Sequence, residues 1–338
     1  MRLLSGSRRP DVHDLSCAPL VTLKERTFHA NNRTMRILMV EDSAIDRRKV
    51  GGYLKDWGLD HIIVSTGTEA AEILDQPDPP NMALLDWMVP GIDGIELCRR
   101  IRAIGITGIY IYTVMLTAKN RKQDLLTAME AGADDYLSKP VNADELRARI
   151  LVGKRILDLQ NSLKFAASHD PLTGLLNRAE ILDALHREFS RSGREGRPAV
   201  LILADIDHFK RINDSMGHNA GDVVLKEVAR RLKMDLRPYD MVGRYGGEEF
   251  LLILPGCDLR VGVRRANEIR VLVSKGSIAT PFGTTSPTVS MGVTVTSSGD
   301  DHTVAELLHE ADVAMYQAKK KGRNRVEVFS ASTSAASR

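Results

Sequence analysis

Gly246-Gly247-Glu248-Glu249-Phe250 lies between two apolar runs, Met241–Tyr245 and Leu251–Leu254. Apolar segments flanking a Gly-Gly pair predict a β-hairpin. Two adjacent carboxylates at its tip have no core role. They suit Mg²⁺, a hard cation that takes oxygen ligands and often bridges to substrate phosphates. The glycines offer positive φ and let a ligand approach the backbone. A second set of polar residues falls where earlier strands should end: Glu41 and Asp42, then Asp86, Thr117 and Lys139. Three carboxylates at one sheet edge repel one another, and a divalent cation relieves that repulsion. A lysine and a hydroxyl beside them can hold the oxygens of a phosphoryl group.

The chain that must position these groups has 338 residues, 43% hydrophobic and 27% charged, which predicts two soluble globular domains. A net charge of +3 gives no argument for nucleic acid. No apolar run approaches the roughly 18 residues of a membrane span. Residues 1–34 mix Arg, Ser, Pro and Asn without an apolar segment, so a disordered extension is expected rather than a signal peptide, with Met35 a candidate natural start. Cys17, Cys98 and Cys257 are far apart and lack metal-ligand spacing; they read as free thiols of a reducing, cytoplasmic compartment. Residues 331–338 are small and polar and are expected to fray.

Strands are predicted at Ile37–Val40, His61–Ser65, Met82–Leu85, Ile109–Leu116 and Asp135–Leu137, with helices at Ala44–Trp57, Thr68–Asp75, Ile95–Ile104, Asp124–Ala131 and Ala143–Lys154. That alternation implies a doubly wound parallel sheet, with functional groups at the carboxyl ends of its strands. Val152, Ile156, Leu159, Leu163 and Ala166 then follow the 4-3-4-3 spacing of a heptad seam. It reads either as the last helix of the first domain or, as preferred here, as a helix that pairs with its copy in a second chain. A second α/β unit comes next, with strands at Leu201–Ile206, Met241–Tyr245, Leu251–Leu254 and Thr288–Val295 and helices at Asn177–Ser190, Ala220–Leu236, Val261–Ser274 and Val304–Lys320. Its hairpin demands a mixed, partly antiparallel sheet. The expected organisation is therefore a domain over 35–152, a helical linker over 153–168 and a second domain over 169–330.

The first constellation resembles the receiver domain of two-component response regulators, a flavodoxin-like fold. The resemblance implies that Asp86 accepts a phosphoryl group from a cognate histidine kinase. It implies one Mg²⁺ on Glu41, Asp42, Asp86 and the carbonyl of Met88, phosphoryl contacts from Thr117 and Lys139, a rotamer switch at Tyr136, and a cis Lys139-Pro140 bond.

The second half resembles the GGDEF family, the diguanylate cyclases, in its GGEEF form. Asp170-Pro171-Leu172-Thr173-Gly174-Leu175-Leu176-Asn177-Arg178, Asp205-Ile206-Asp207-His208-Phe209-Lys210, Asn213-Asp214, Gly217-His218-Asn219-Ala220-Gly221-Asp222, the hairpin, Lys319 and Gly322-Arg323-Asn324 carry the likeness. It implies condensation of two GTP into cyclic di-GMP by a homodimer. It also implies two Mg²⁺ per site on Asp205, Glu248 and the Ile206 carbonyl, with Glu249 binding the second metal or deprotonating the attacking hydroxyl. Substrate contacts would come from Phe209 and Lys210 amides, Asn213, His218, Asp222, Gly246, Gly247, Lys319 and Arg323. Asn213 and Asp222 match the guanine-contacting pair. Arg237 and Asp240 match an inhibitory product site, whose usual further arginine is replaced by Glu268, leaving Arg265 or Arg270 as substitutes. The readings of another class are a non-catalytic cyclic di-GMP receptor and a purely dimerising output domain.

Overall fold

The computed structural model describes residues 35–105, 109–118, 122–296 and 302–330. The expected extension, the tail and Cys17 lie outside them. The first domain is a five-stranded sheet of β1 (Arg36–Val40), β2 (Asp60–Val64), β3 (Met82–Asp86), β4 (Tyr112–Thr117) and β5 (Asp135–Ser138). The order is β2-β1-β3-β4-β5, parallel throughout. β3 and β4 are buried at every residue, as strands covered on both faces must be. α1 (Ala44–Asp56), α2 (Gly67–Leu74), α3 (Gly94–Gly105), α4 (Lys122–Glu130) and α5 (Ala143–Ser168) connect or follow these strands. Local chemistry sets several of their starts: Ser43, Thr66 and Asn142 accept hydrogen bonds from first-turn amides. β4 begins later than the expected Ile109, because its partner β3 begins at Met82, opposite Tyr112.

α5 is one unbroken helix of 26 residues, so the boundary expected after Val152 falls inside it. Leu146, Ile150, Gly153 and Leu157 are its buried residues, and Ile156 packs against the same first-domain core. The rest of the heptad seam faces outward: Val152 is 49% exposed, Leu159 57% and Leu163 66%. Among the described residues no helix is long and apolar enough to cross a membrane.

The second domain holds β6 (Ala199–Ile206), β7 (Met241–Arg244), β8 (Glu249–Pro255), β9 (Ile278–Thr280), β10 (Gly283–Thr285), β11 (Val289–Val295) and β12 (Val326–Val328). The main sheet runs β12-β11-β6-β8-β7 and is antiparallel except for β11–β12, while β9 and β10 form a small hairpin. The helices are α6 (Arg178–Glu195), α7 (Phe209–Met216), α8 (His218–Met234), α9 (Leu259–Ser274) and α10 (Val304–Lys320). One core lies under α8 and α9, the other under α6 and α10, on opposite faces of the sheet.

The contact of α10 with β11 depends on Gly292. A Cβ there would sit 2.0 Å from the Ala311 carbonyl oxygen and 2.3 Å from the Met315 nitrogen, both backbone atoms that cannot turn aside. Gly292→Ala is expected to destabilise the second domain by about 3 kcal/mol, the upper part of the range for over-packing. Denaturant unfolding checks this, and an unchanged midpoint would contradict the close approach.

Candidate functional site

The β6–β8 register sets Asp205 directly opposite Glu249, and the Ile206 amide donates to the Glu248 carbonyl at 3.3 Å. Three carboxylates thus meet at one sheet end because strand pairing puts them there. Lys319, in the last turn of α10, lies 2.8 Å from Asp205 Oδ2. Burial pushes Asp205 up from the ordinary carboxylate range, against the opposing pull of Lys319. Burial, then the charge of Asp205, pushes Glu248 and Glu249 up as well. The arrangement is a cluster of anions that a cation would stabilise.

The signature turn differs from expectation in one respect. Neither Gly246 nor Gly247 has positive φ. A Cβ at Gly246 would lie 2.6 Å from Glu249 Oε2 and so would displace the end of that side chain, whereas the space over Gly247 is open. Arg244, which stands outside the motifs that signal function in the sequence, holds the turn: Nε and Nη2 donate to the Gly247 carbonyl at 3.1 and 2.8 Å. Its Nη1 donates to Asp170 Oδ2 at 3.1 Å. Burial opposes ionisation of Asp170, but hydrogen bonds from Thr173 and the Arg244 charge hold its carboxyl below the usual range.

α7 and α8 pack closely at Gly221, where a Cβ would fall 1.9 Å from Asn213 Oδ1. That approach brings Asn213 to the start of α8, which carries Asp222. Asn213 Oδ1 is buried without a hydrogen-bond partner, while Asp222 and His218 are exposed. Phe209 and Lys210 open α7, so their amides have no intrahelical acceptor. Arg323 is exposed just beyond α10.

Arg237 and Asp240 precede β7, so they sit at the opposite end of that four-residue strand from the signature turn. Asp240 Oδ2 accepts from the Arg237 amide at 2.9 Å and lies 4.0 Å from Arg265, while its Oδ1 is buried without a hydrogen bond. Arg265 also pairs with Asp235 and Glu268. Arg270 points elsewhere, to Asn324, so of the two candidate arginines Arg265 is the one beside Asp240.

In the first domain Lys139 Nζ donates to Glu41 Oε1 at 2.8 Å and to Asp86 Oδ2 at 2.6 Å. Glu41 Oε2 lies 2.7 Å from the same ammonium, so both carboxylate oxygens of Glu41 contact Lys139. Burial works against the charge of Lys139, yet its bonds to Asp86 and Glu41 outweigh it and raise its pKa. Burial also raises Glu41, with the Asp86 charge adding to it and Lys139 opposing. Thr117 is buried at the end of β4, and Tyr136 and Met88 are exposed. Lys139-Pro140 is cis. Cys98 and Cys257 are buried free thiols.

Comparison with known proteins covers both halves. The family model described as "Response regulator receiver domain" matches residues 37–151, and that described as "Diguanylate cyclase, GGDEF domain" matches 167–325. Response regulator PleD of Caulobacter vibrioides is 34% identical over 302 residues, 86% of this chain and 65% of the relative. Diguanylate cyclase DgcP of Pseudomonas aeruginosa is 34% identical over 228 residues, 64% of this chain and 33% of the relative. The chain therefore spans less than two thirds of the length of these curated relatives. The coiled coil and GGDEF domain of DgcB from Caulobacter crescentus, solved in complex with c-di-GMP, is 31% identical with a TM-score of 0.50, covering 55% of this chain and 97% of that one.

Receiver and GGDEF domains generally use Mg²⁺, and the residues here fit it. Oxygens of Glu41, Asp42 and Asp86 lie within 4.8 Å of one another, an all-oxygen set suited to a hard cation. In the second domain the donors are again carboxylates, all raised by burial and crowding. A raised carboxyl must lose its proton before it can hold a cation. Mg²⁺ affinity of the second domain is therefore expected to weaken as pH falls through a range above that of ordinary carboxylates. Calorimetric Mg²⁺ titrations of an Asp86→Asn protein across pH check this; an affinity that stays flat until the ordinary carboxylate range contradicts it.

Proposed function

This chain belongs to the response regulators that join a receiver domain to a GGDEF domain, and we propose that it is a diguanylate cyclase set by phosphorylation of Asp86. The observation that carries the reading is the meeting of Asp205, Glu248 and Glu249 at the signature turn, with Lys319 beside them. The 3′-oxygen of one GTP bonds to the α-phosphorus of the other, and the bond from that phosphorus to pyrophosphate breaks. The second GTP does the same to the first. Two GTP give cyclic di-GMP and two pyrophosphates. One GTP per domain requires two domains facing one another in a homodimer, for which the exposed Val152, Leu159 and Leu163 of α5 offer a seam.

Asp205, Glu248 and the Ile206 carbonyl would hold Mg²⁺, which when bound supplies positive charge beside the attacking and leaving oxygens. The count we propose is two ions per cyclase site and one per receiver, the latter on Glu41, Asp42, Asp86 and the Met88 carbonyl. Glu249 either shares the second ion or takes the 3′-hydroxyl proton, and burial makes it a stronger base than an ordinary carboxylate. Phe209 and Lys210 amides with Lys319 and Arg323 hold the β- and γ-phosphates. Asn213 and Asp222 accept from guanine, whose N1–H and 2-amino group form a donor pair that adenine lacks. Gly247 leaves open space for a nucleotide, and His218 lies near the base. Arg237, Asp240 and Arg265 form the product site for feedback inhibition. A GTP substrate and a cognate histidine kinase as partner fit a cytoplasmic location. The retained carboxylates and glycines favour this reading over the non-catalytic receptor.

Purified protein incubated with GTP and Mg²⁺ is expected to yield cyclic di-GMP. Glu248→Gln should lose at least about a hundredfold in rate while keeping its circular dichroism, because a neutral amide cannot balance the cation. Near-normal turnover in that variant would remove the catalytic assignment.

Beryllofluoride, a stand-in for the phosphoryl group on an aspartate, is expected to raise cyclase activity, and Asp86→Asn to abolish that response. Two residues inserted after Leu159 rotate the end of α5 and the second domain by roughly 200° relative to the receiver. The insertion should uncouple activity from beryllofluoride; a wild-type response would make α5 a passive tether.

A further inference from the structure

Asp207 is a buried carboxylate that the reaction does not use. Its Oδ1 accepts from the Ser290 hydroxyl at 2.6 Å. Its Oδ2 accepts from the Thr288 hydroxyl at 2.6 Å and from the Asn324 amide at 3.0 Å. The Asp207 amide donates back to the Thr288 carbonyl at 2.9 Å. The carboxylate therefore pins the end of β6 to β11 and to the turn after α10.

That turn is unusual. Gly322, Arg323 and Asn324 have φ of 112°, 64° and 45° in succession. Left-handed backbone at two consecutive non-glycine residues is strained and persists only where the surroundings impose it. Here Arg323 N donates to the Ala318 carbonyl at 3.0 Å on one side. On the other, Arg270 of α9 donates through Nη1 to the Asn324 carbonyl at 3.1 Å and to Asn324 Oδ1 at 2.8 Å. Asn324 is thus gripped at its amide by an anion and at its carbonyl and side chain by a cation. The residue held between these anchors is Arg323, whose own side chain is exposed.

We propose that Asp207 and Arg270 are positioning residues that latch the strained Arg323–Asn324 turn so that Arg323 meets the terminal phosphates of the nucleotide. The proposal rests on the cyclase reading above and extends it to residues that touch no substrate. Pre-organisation is the physical gain. A turn released to relax would have to be re-strained on each binding event, at the expense of affinity for the triphosphate end and not the guanine end.

The test uses the full-length protein, with α,β-methylene GTP and GMP as calorimetric probes. Because removal of Asp207 endangers folding, Arg270→Ala is the primary variant. It is expected to bind the GTP analogue about tenfold more weakly, the scale of one charge-assisted hydrogen bond, and to bind GMP as wild type does. Adding Asn324→Gly should recover most of the loss, since glycine takes left-handed φ without penalty. The pair Arg270→Ala/Arg323→Ala should bind no more weakly than Arg323→Ala alone, because both changes remove one contact. Losses that multiply, or a GMP affinity that falls in step, would overturn the latch while leaving the cyclase reading intact. Wild-type analogue affinity in Arg323→Ala would instead remove the phosphate assignment, and the latch with it.

Discussion

Both domains are organised around the same constraint: carboxylates forced together at the ends of strands, with a lysine between them. Two like charges about 4 Å apart repel by about 4 kcal/mol at an effective dielectric of 20. Neither group of acids would hold its position without an opposing charge. Lys139 meets this need in the receiver, touching Glu41 and Asp86 together, and Lys319 meets it for Asp205 in the second domain. Each lysine comes from outside the strands that carry the acids, one from just past β5 and one from α10. The chemistry of either site thus requires the tertiary fold and not the local motif alone.

Strand register turns that requirement into geometry. Because side chains alternate faces, slipping β8 by one residue against β6 would carry Glu249 to the other face from Asp205. Arg244 fixes the turn by gripping the Gly247 carbonyl and is itself held by Asp170. Gly292 lets α10 lie close enough for Lys319 to reach the sheet end. Small residues and part-buried ion pairs outside the signature pentamer therefore help set the distances within it.

Much of this is legible in the sequence. The apolar runs locate the central strands of both sheets, and charged residues at strand ends mark both candidate sites, because those patterns are local. The apolar run that begins at Ile109 overstates β4 for the complementary reason: the limit of that strand is set by the start of β3, a distant segment. α7, β9, β10 and β12 leave no comparable pattern. They are short, and β9, β10 and β12 owe their existence to neighbours. The positive φ expected at Gly246 and Gly247 is not what the turn uses: a Cβ at 246 would meet only the end of the Glu249 side chain, and the space over 247 is open. Asp207 stands two residues after Asp205, but nothing local distinguishes a carboxylate that binds a ligand from one that accepts from Thr288, Ser290 and Asn324. Arg270 reads from sequence as a product-site candidate, and only its partner Asn324, 54 positions away, gives it another place.

α5 joins these threads. Its first half belongs to the receiver core through Leu146, Ile150, Gly153 and Leu157. Its end belongs to the second domain: Asn177 donates to the carbonyls of Ala167 and Ser168, and Phe165 stacks on His169 at 4.0 Å between ring centres. The segment it leads into then pairs with β7, where the Leu176 amide donates to the Val242 carbonyl and the Arg244 amide donates to the Leu176 carbonyl. β7 feeds the signature turn directly. A rotation of α5 would therefore reach the second domain through backbone hydrogen bonds and the Asp170–Arg244 ion pair, not through a loose loop. The exposed side of the same helix carries Leu159 and Leu163, the face that the proposed homodimer would use. One helix that is core at one end, exposed and apolar along one face and bonded to the strand support of the second domain at the other end links the receiver core to the signature turn.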